Sequence, residues 1–163
     1  KMRVEEINFI GTYDTRRLNI LESIEVRKKI FGGNWFRLNN IKLKNTFIGQ
    51  HIYGKRIFKL MNTSAISLNI LRKQNYSSHN MRTFEIPANN GLMLTTRSTE
   101  QNKFFKENKA CFMFSSKSEL QKKIKFIFEN PRKAEKVRKL GNRLVIKHSY
   151  VNRIKFLLQE INK

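Results

Sequence analysis

The chain has 163 residues, 39% of them hydrophobic and 13 of them Phe, enough for one ordinary domain with a real core; two Pro and seven Gly exclude collagen-like or linker-like material. Thirty-four basic against 12 acidic residues give a formal charge of +22, which points to anionic ligands or surfaces, although 21 Lys, 18 Asn and 17 Ile also fit an AT-rich gene. A single Cys (Cys111) and a single Asp (Asp14) exclude an internal disulfide, a cysteine-cluster zinc site and an Asp-x-Asp metal motif, and no run reaches the about 20 apolar residues that cross a bilayer.

In chain order, Ile7 to Gly11 reads as a short buried strand ending at a glycine. Asp14 then caps a helix carrying Leu18, Leu21 and Ile24. Val26 to Phe31 is a second strand stopped by Gly32-Gly33, Asn34 to Lys44 a polar loop, and Thr46 to Gly49 a third strand. Ile52 to Met61 reads as helix, Ala65 to Ile70 as strand, Lys73 to Asn80 as a polar turn, and Met81 to Ala88 as a short helix with Pro87 near its end. Leu92 to Thr95 and Ala110 to Phe114 are the last strands, separated by a short helix over Thr99 to Phe105. Three helices close the chain. The first opens on the Ser116/Glu119 capping box, the second follows Asn130-Pro131, and the third carries Tyr150, Val151, Ile154, Leu157, Leu158 and Ile161. All three apolar stripes are expected to face the core. Alternating strands and helices predict an α/β, Rossmann-like parallel sheet with flanking helices, one domain over residues 1–163 with a helical C-terminal tail over 116–163.

In such a sheet, ligands bind outside the carboxyl ends of the strands. Gly11 precedes a helix bearing Arg16 and Arg17, Gly33 and Trp35 follow the second strand, and the segment from Asn69 to Asn80 follows the fourth and leads to Arg82 and Glu85. Glycines admit a ligand close to the backbone, helix N-termini and arginines favour phosphate, and a carboxylate accepts hydrogen bonds from ribose hydroxyls. Glu85 stands out among Phe84, Ile86, Pro87 and Ala88 in a basic chain, where a salt bridge to a neighbouring cation is the competing reading. The three histidines, His51, His79 and His148, have no metal-ligand spacing.

The run from Arg82 to Thr95, with its arginine, Phe84-Glu85 pair, Ala88 and Gly91, resembles the C-terminal half of CgeB-like (spore maturation protein-like) glycosyltransferases of the two-domain GT-B fold. Phe9-Ile10-Gly11 with Arg17 and Leu21, Ile30 to Trp35, Ser67-Leu68-Asn69, and the tail with Gly141, His148 and Tyr150 extend the resemblance along nearly the whole chain. It implies a nucleotide-sugar donor site with no cofactor and no metal. Glu85 would hold the ribose, Arg82 and Arg17 would face the diphosphate, Gly11, Gly33 and Asn69 would line the cleft, and Trp35 would pack near the base or close the core. Two departures from the pattern are Ser77, where a second glutamate often stands, and Asn89-Asn90 before Gly91. The implied function is transfer of a sugar from a nucleotide-diphosphate sugar to an unidentified glycan, lipid-linked or protein acceptor. The chain, opening at Lys1, reads as a fragment whose N-terminal, acceptor-binding half lies elsewhere and which is inefficient alone; its catalytic base is not identifiable. The expected location is the cytoplasm. Residues 117–147, with 11 basic and 3 acidic side chains, offer a peripheral contact with the inner face of the membrane. The rival readings are a basic nucleic-acid-binding module, disfavoured by the lack of exposed-aromatic patterning, and a catalytically inactive nucleotide-binding module.

Overall fold

Six strands and seven α-helices alternate among the residues that the computed structural model describes, 4–35, 43 and 45–162. The strands are β1 (Val4–Ile10), β2 (Lys28–Phe31), β3 (Thr46–Gly49), β4 (Ser64–Asn69), β5 (Met93–Thr96) and β6 (Phe112–Phe114). The helices are α1 (Thr15–Glu22), α2 (Lys55–Thr63), α3 (Arg82–Ala88), α4 (Thr99–Phe104), α5 (Lys117–Glu129), α6 (Pro131–Val145) and α7 (Tyr150–Ile161).

Every strand pair is parallel, in the order β3-β2-β1-β4-β5-β6. The parallel sheet is the one predicted from the alternation; its strand order is that of the Rossmann fold and reverses between β1 and β4, where Ile7 pairs with Ile66 and Phe9 with Leu68. A parallel sheet is covered on both faces, so its central strands are buried on both faces, and polar residues such as Asn8, Ser67 and Thr95 are buried beside the apolar ones. Ile7, Phe9, Ile30, Leu68, Leu94 and Phe112 pack on one side against Leu18 and Leu21 of α1 and Leu120, Ile124 and Ile127 of α5. On the other side Ile10, Met93 and Met113 meet Leu60 and Met61 of α2, Ile86 of α3 and Val145 of α6. The caps follow the local sequence. Asp14 Oδ1 accepts from Arg17 N at 2.9 Å, and Ser116 Oγ accepts from Glu119 N at 3.1 Å, while Glu119 returns its carboxylate one residue upstream, to Ser115 N.

Two expectations change in detail. Helix α2 starts at Lys55 instead of Ile52, because Gly54 ahead of it holds φ at 54°, outside helical space. The loop expected over Asn34–Lys44 lies, apart from Asn34, Trp35 and Leu43, outside the described residues. One expectation is corrected. Helix α7 buries none of its residues, and Tyr150 is 81% and Ile161 76% exposed. An apolar stripe at helical spacing says that a helix has an apolar face, not what covers it, and both faces of the sheet are already occupied.

Candidate functional site

The chain turns that follow β1 and β2 interlock at the carboxyl edge of the sheet. Gly11 N donates to the Phe31 carbonyl at 2.8 Å and Tyr13 N to the Gly33 carbonyl at 3.0 Å. Gly32, at φ 141°, passes so close to the Gly11 carbonyl that a Cβ there would lie 2.2 Å from its oxygen. Only glycine permits both the dihedral and the approach. Trp35 locks the turn from beneath. Its Nε1 donates to the Gly11 carbonyl at 2.7 Å, its ring meets Phe9 and Tyr13 edge-on, and it is 1% exposed, so it closes the core. Gly33 lies beside His51, the side of the turn nearest β3.

Arg17 reaches the same edge from α1, but its donors are committed to main-chain carbonyls. Nη1 donates to Thr12 O at 2.8 Å, and Nε and Nη2 donate to Ile70 O at 3.2 and 2.9 Å. The buried guanidinium thus ties the end of β1 to the segment after β4, across the point where strand order reverses. Burial pulls its pKa down, opposed by Asp14, whose Oδ2 stands 3.3 Å from Nε. The neighbouring Arg16 is freer. Its guanidinium lies 3.9 Å over the Tyr76 ring, and its Nη1 is buried with no hydrogen-bond partner among the described residues. Its pKa is lowered by desolvation, against Asp14.

Helix α3 begins against the end of β1. Arg82 Nε donates to the Ile10 carbonyl at 3.3 Å, docking the first turn of α3 onto the end of β1, and Nη1 donates to Glu85 Oε2. Both side chains of this pair remain partly open to solvent, 25% and 34% exposed. The carboxylate is therefore neither remote from the glycine turns nor sealed in a buried ion pair. At the far end of α3, Asn90 takes φ 58° and Gly91 N donates to Ile86 O at 2.9 Å. Asn90 thus supplies the left-handed helix cap that its position requires.

Asn69 ends β4 beneath this helix. It is buried, and its amide exchanges hydrogen bonds with Asn80, Nδ2 to Oδ1 at 3.1 Å and the reverse at 3.0 Å. The structure therefore brings Gly11, Arg17, Asn69, Arg82 and Glu85 together around the ends of β1 and β4. Gly33 lies one strand away and Trp35 beneath the turn. Sequence reasoning gave no role to Thr83 or Gln101, which stand directly below this constellation, and no local signal marks them. His79 turns aside, its Nδ1 2.9 Å from Glu100 Oε2 and its ring against Phe84 and Phe104. Among the described residues no group of three or more His, Cys, Asp or Glu is placed to hold a metal ion, and no helix is long and apolar enough to cross a membrane.

The family described as glycosyl transferase-like matches residues 16–159. The chain belongs to this family. No curated protein sequence matches it. Among solved structures, S. aureus TarM is similar at TM-score 0.73 and 13% identity, covering 98% of this chain and 35% of that one. The C-terminal domain of the group 1 glycosyl transferase LpcC from Francisella tularensis gives 0.71 and 13%, covering 88% of this chain and 85% of that one. T4 phage β-glucosyltransferase, in complex with its UDP-glucose substrate, gives 0.68 and 15%, covering 91% of this chain and 46% of that one. This glycosyl transferase-like chain thus has the fold of a GT-B C-terminal half, and it spans about a third of TarM and about half of the phage enzyme.

Proposed function

We propose that the chain is the donor-binding half of a CgeB-like glycosyltransferase and holds a nucleotide-diphosphate sugar over the ends of β1 and β4. The observation that carries this reading is the Arg82–Glu85 pair, docked on the Ile10 carbonyl beside the Gly11 turn where the strand order reverses. Glu85 accepts from the ribose hydroxyls. Arg82, released from Glu85 when the ribose takes its place, turns its fork of donors to the diphosphate, with Arg16 on the facing wall. Gly11 and Gly33 let the phosphates approach the backbone, while Arg17 and Asn69 hold the walls in place through the bonds described above.

Transfer then depends on charge. As the bond between anomeric carbon and phosphate oxygen breaks, negative charge grows on the diphosphate. Arginines fixed beforehand stabilise that charge more than they stabilise the ground state, which accelerates departure without a metal ion. The acceptor, whether glycan, lipid-linked or protein, and the base that activates it belong to the other half of the enzyme.

Titration calorimetry with UDP, GDP, ADP and a mixed-sequence oligonucleotide tests this. Saturable binding of one nucleoside diphosphate, reduced at least tenfold in Glu85→Ala, is the expected result. Binding of the oligonucleotide alone at 150 mM salt would refute it in favour of a nucleic-acid module.

A further inference from the structure

Beneath the ends of β1 and β4, four elements meet through a closed set of amide and hydroxyl groups centred on Thr83 and Gln101, which no step proposed above uses. Gln101 of α4 is fully buried, as are Thr83 of α3 and Thr95 of β5. Gln101 Oε1 accepts from Thr83 Oγ1 at 2.8 Å and from Thr95 Oγ1 at 3.0 Å, with Asn69 Nδ2 at 3.3 Å, while its Nε2 donates to the Thr96 carbonyl at 2.8 Å. Asn69 and Asn80 exchange bonds, and Thr83 N, at the start of α3, donates both to Asn80 Oδ1 at 3.2 Å and to the Asn80 carbonyl at 3.1 Å. The backbone N–H of Gln101 is itself bound by the Ser98 cap, whose hydroxyl donates to the Ser78 carbonyl at 2.6 Å.

We infer that Thr83 and Gln101 are positioning residues: through Asn69 and Asn80 they fix the first turn of α3, and so set where Arg82 and Glu85 stand over the cleft. The physical grounds are burial and directness. A buried polar group left unpaired is costly, so a network whose members are all paired has one arrangement and resists sliding. Thr83 lies between Arg82 and Phe84, so any rotation of α3 about its axis moves Thr83 Oγ1 away from Gln101 and Arg82 Nε away from the Ile10 carbonyl together. Neither residue needs to touch the ligand. A short helix of seven residues has little intrinsic stability, and an outside anchor therefore decides its placement.

The inference rests on the donor-site reading for its functional half, and the test separates the two. Thr83→Val removes the hydroxyl at nearly constant shape, Thr83→Ser keeps it, and Gln101→Leu removes the hub. UDP affinity is measured by calorimetry, and amide hydrogen exchange is followed in the unliganded protein. The expected result is UDP binding about tenfold weaker in Thr83→Val and Gln101→Leu, faster exchange at the start of α3 with β1 and β4 unchanged, and recovery of both in Thr83→Ser. Unchanged UDP affinity in Thr83→Val, or exchange that rises equally in β1, β4 and α3, overturns the inference and leaves the network a general core feature. If the unaltered protein does not bind UDP, the donor-site reading fails for that nucleotide, and the exchange pattern alone decides whether the network anchors α3.

Discussion

Replacing Arg17 with Met separates a residue that holds the cleft from one that holds the ligand. The substitution keeps an apolar stem of similar length and removes three hydrogen bonds, one to Thr12 O and two to Ile70 O, from a side chain that is only 9% exposed. Hydrogen bonds from a charged donor contribute about 1.5–3 kcal/mol each before the cost of burying the guanidinium is returned. With that return, the expected loss is about 3 kcal/mol, or about 6–12 °C in Tm for a chain of this size. The Ile70 carbonyl would lose both donors, and its burial keeps water from replacing them fully. Urea unfolding at pH 7 followed by Trp35 fluorescence measures the effect, with Arg82→Met as the comparison. Arg82 makes one main-chain bond at 3.3 Å and is partly solvated, so its substitution should cost less than about 1 kcal/mol while abolishing nucleotide binding. If Arg17→Met is as stable as the unaltered protein yet fails to bind nucleotide, Arg17 faces the ligand and the division of roles drawn here is wrong.

Three further outcomes follow from the same geometry. Arg97 joins Glu107 and Glu119, and its hydrogen bonds hold the Glu119 carboxyl down at about 2, from an ordinary value of 4.5. A depressed folded-state pKa contributes stability that is present in full above 4.5 and disappears as pH falls through about 2, so urea unfolding at pH 7 and pH 2.5 should show an acid loss that Arg97→Met reduces by about 1–2 kcal/mol, the surface position having been allowed for. Burial pushes the Cys111 thiol up to about 12, so a thiol reagent at pH 8 should label it only after denaturant is added; rapid labelling of the native protein contradicts its placement. Gly32→Ala, which forces a Cβ against the Gly11 carbonyl at positive φ, should destabilise by more than about 3 kcal/mol in urea unfolding, whereas Gly54→Ala, with open space around it, should cost only the backbone strain of about 1–3 kcal/mol.

The fold was legible because each strand and helix carries its own local signal. The short apolar-rich segments of β1 and β4, Asp14 and Ser116 at helix starts, and the glycines after β1 and β2 all act within a few residues. The strand order is set by packing between distant segments, and alternation alone narrows it only through the handedness of the crossovers. Helix α7 shows the limit from the other side, since its stripe is as regular as that of α5 but nothing among the described residues covers it. At the site, the Arg82/Glu85 spacing puts both side chains on one turn of a helix. Arg17 is different. Its neighbours in sequence gave no hint that Ile70, 53 residues on, would take its donors. Asn69 joins Gln101 over a separation of 32 residues, and single polar residues with such distant partners look, along the chain, like any solvent-facing side chain.

The donor-site assignment stands on nucleotide binding over the ends of β1 and β4, between α1 and α3. Mapping amide shifts of the labelled protein during titration with UDP tests it most directly. Saturable changes concentrated at Gly11, Thr12, Arg16, Arg82 and Glu85, absent in Glu85→Ala, are the expected result. Changes confined to the basic surface of α5 and α6, growing without saturation and vanishing in salt, would contradict it.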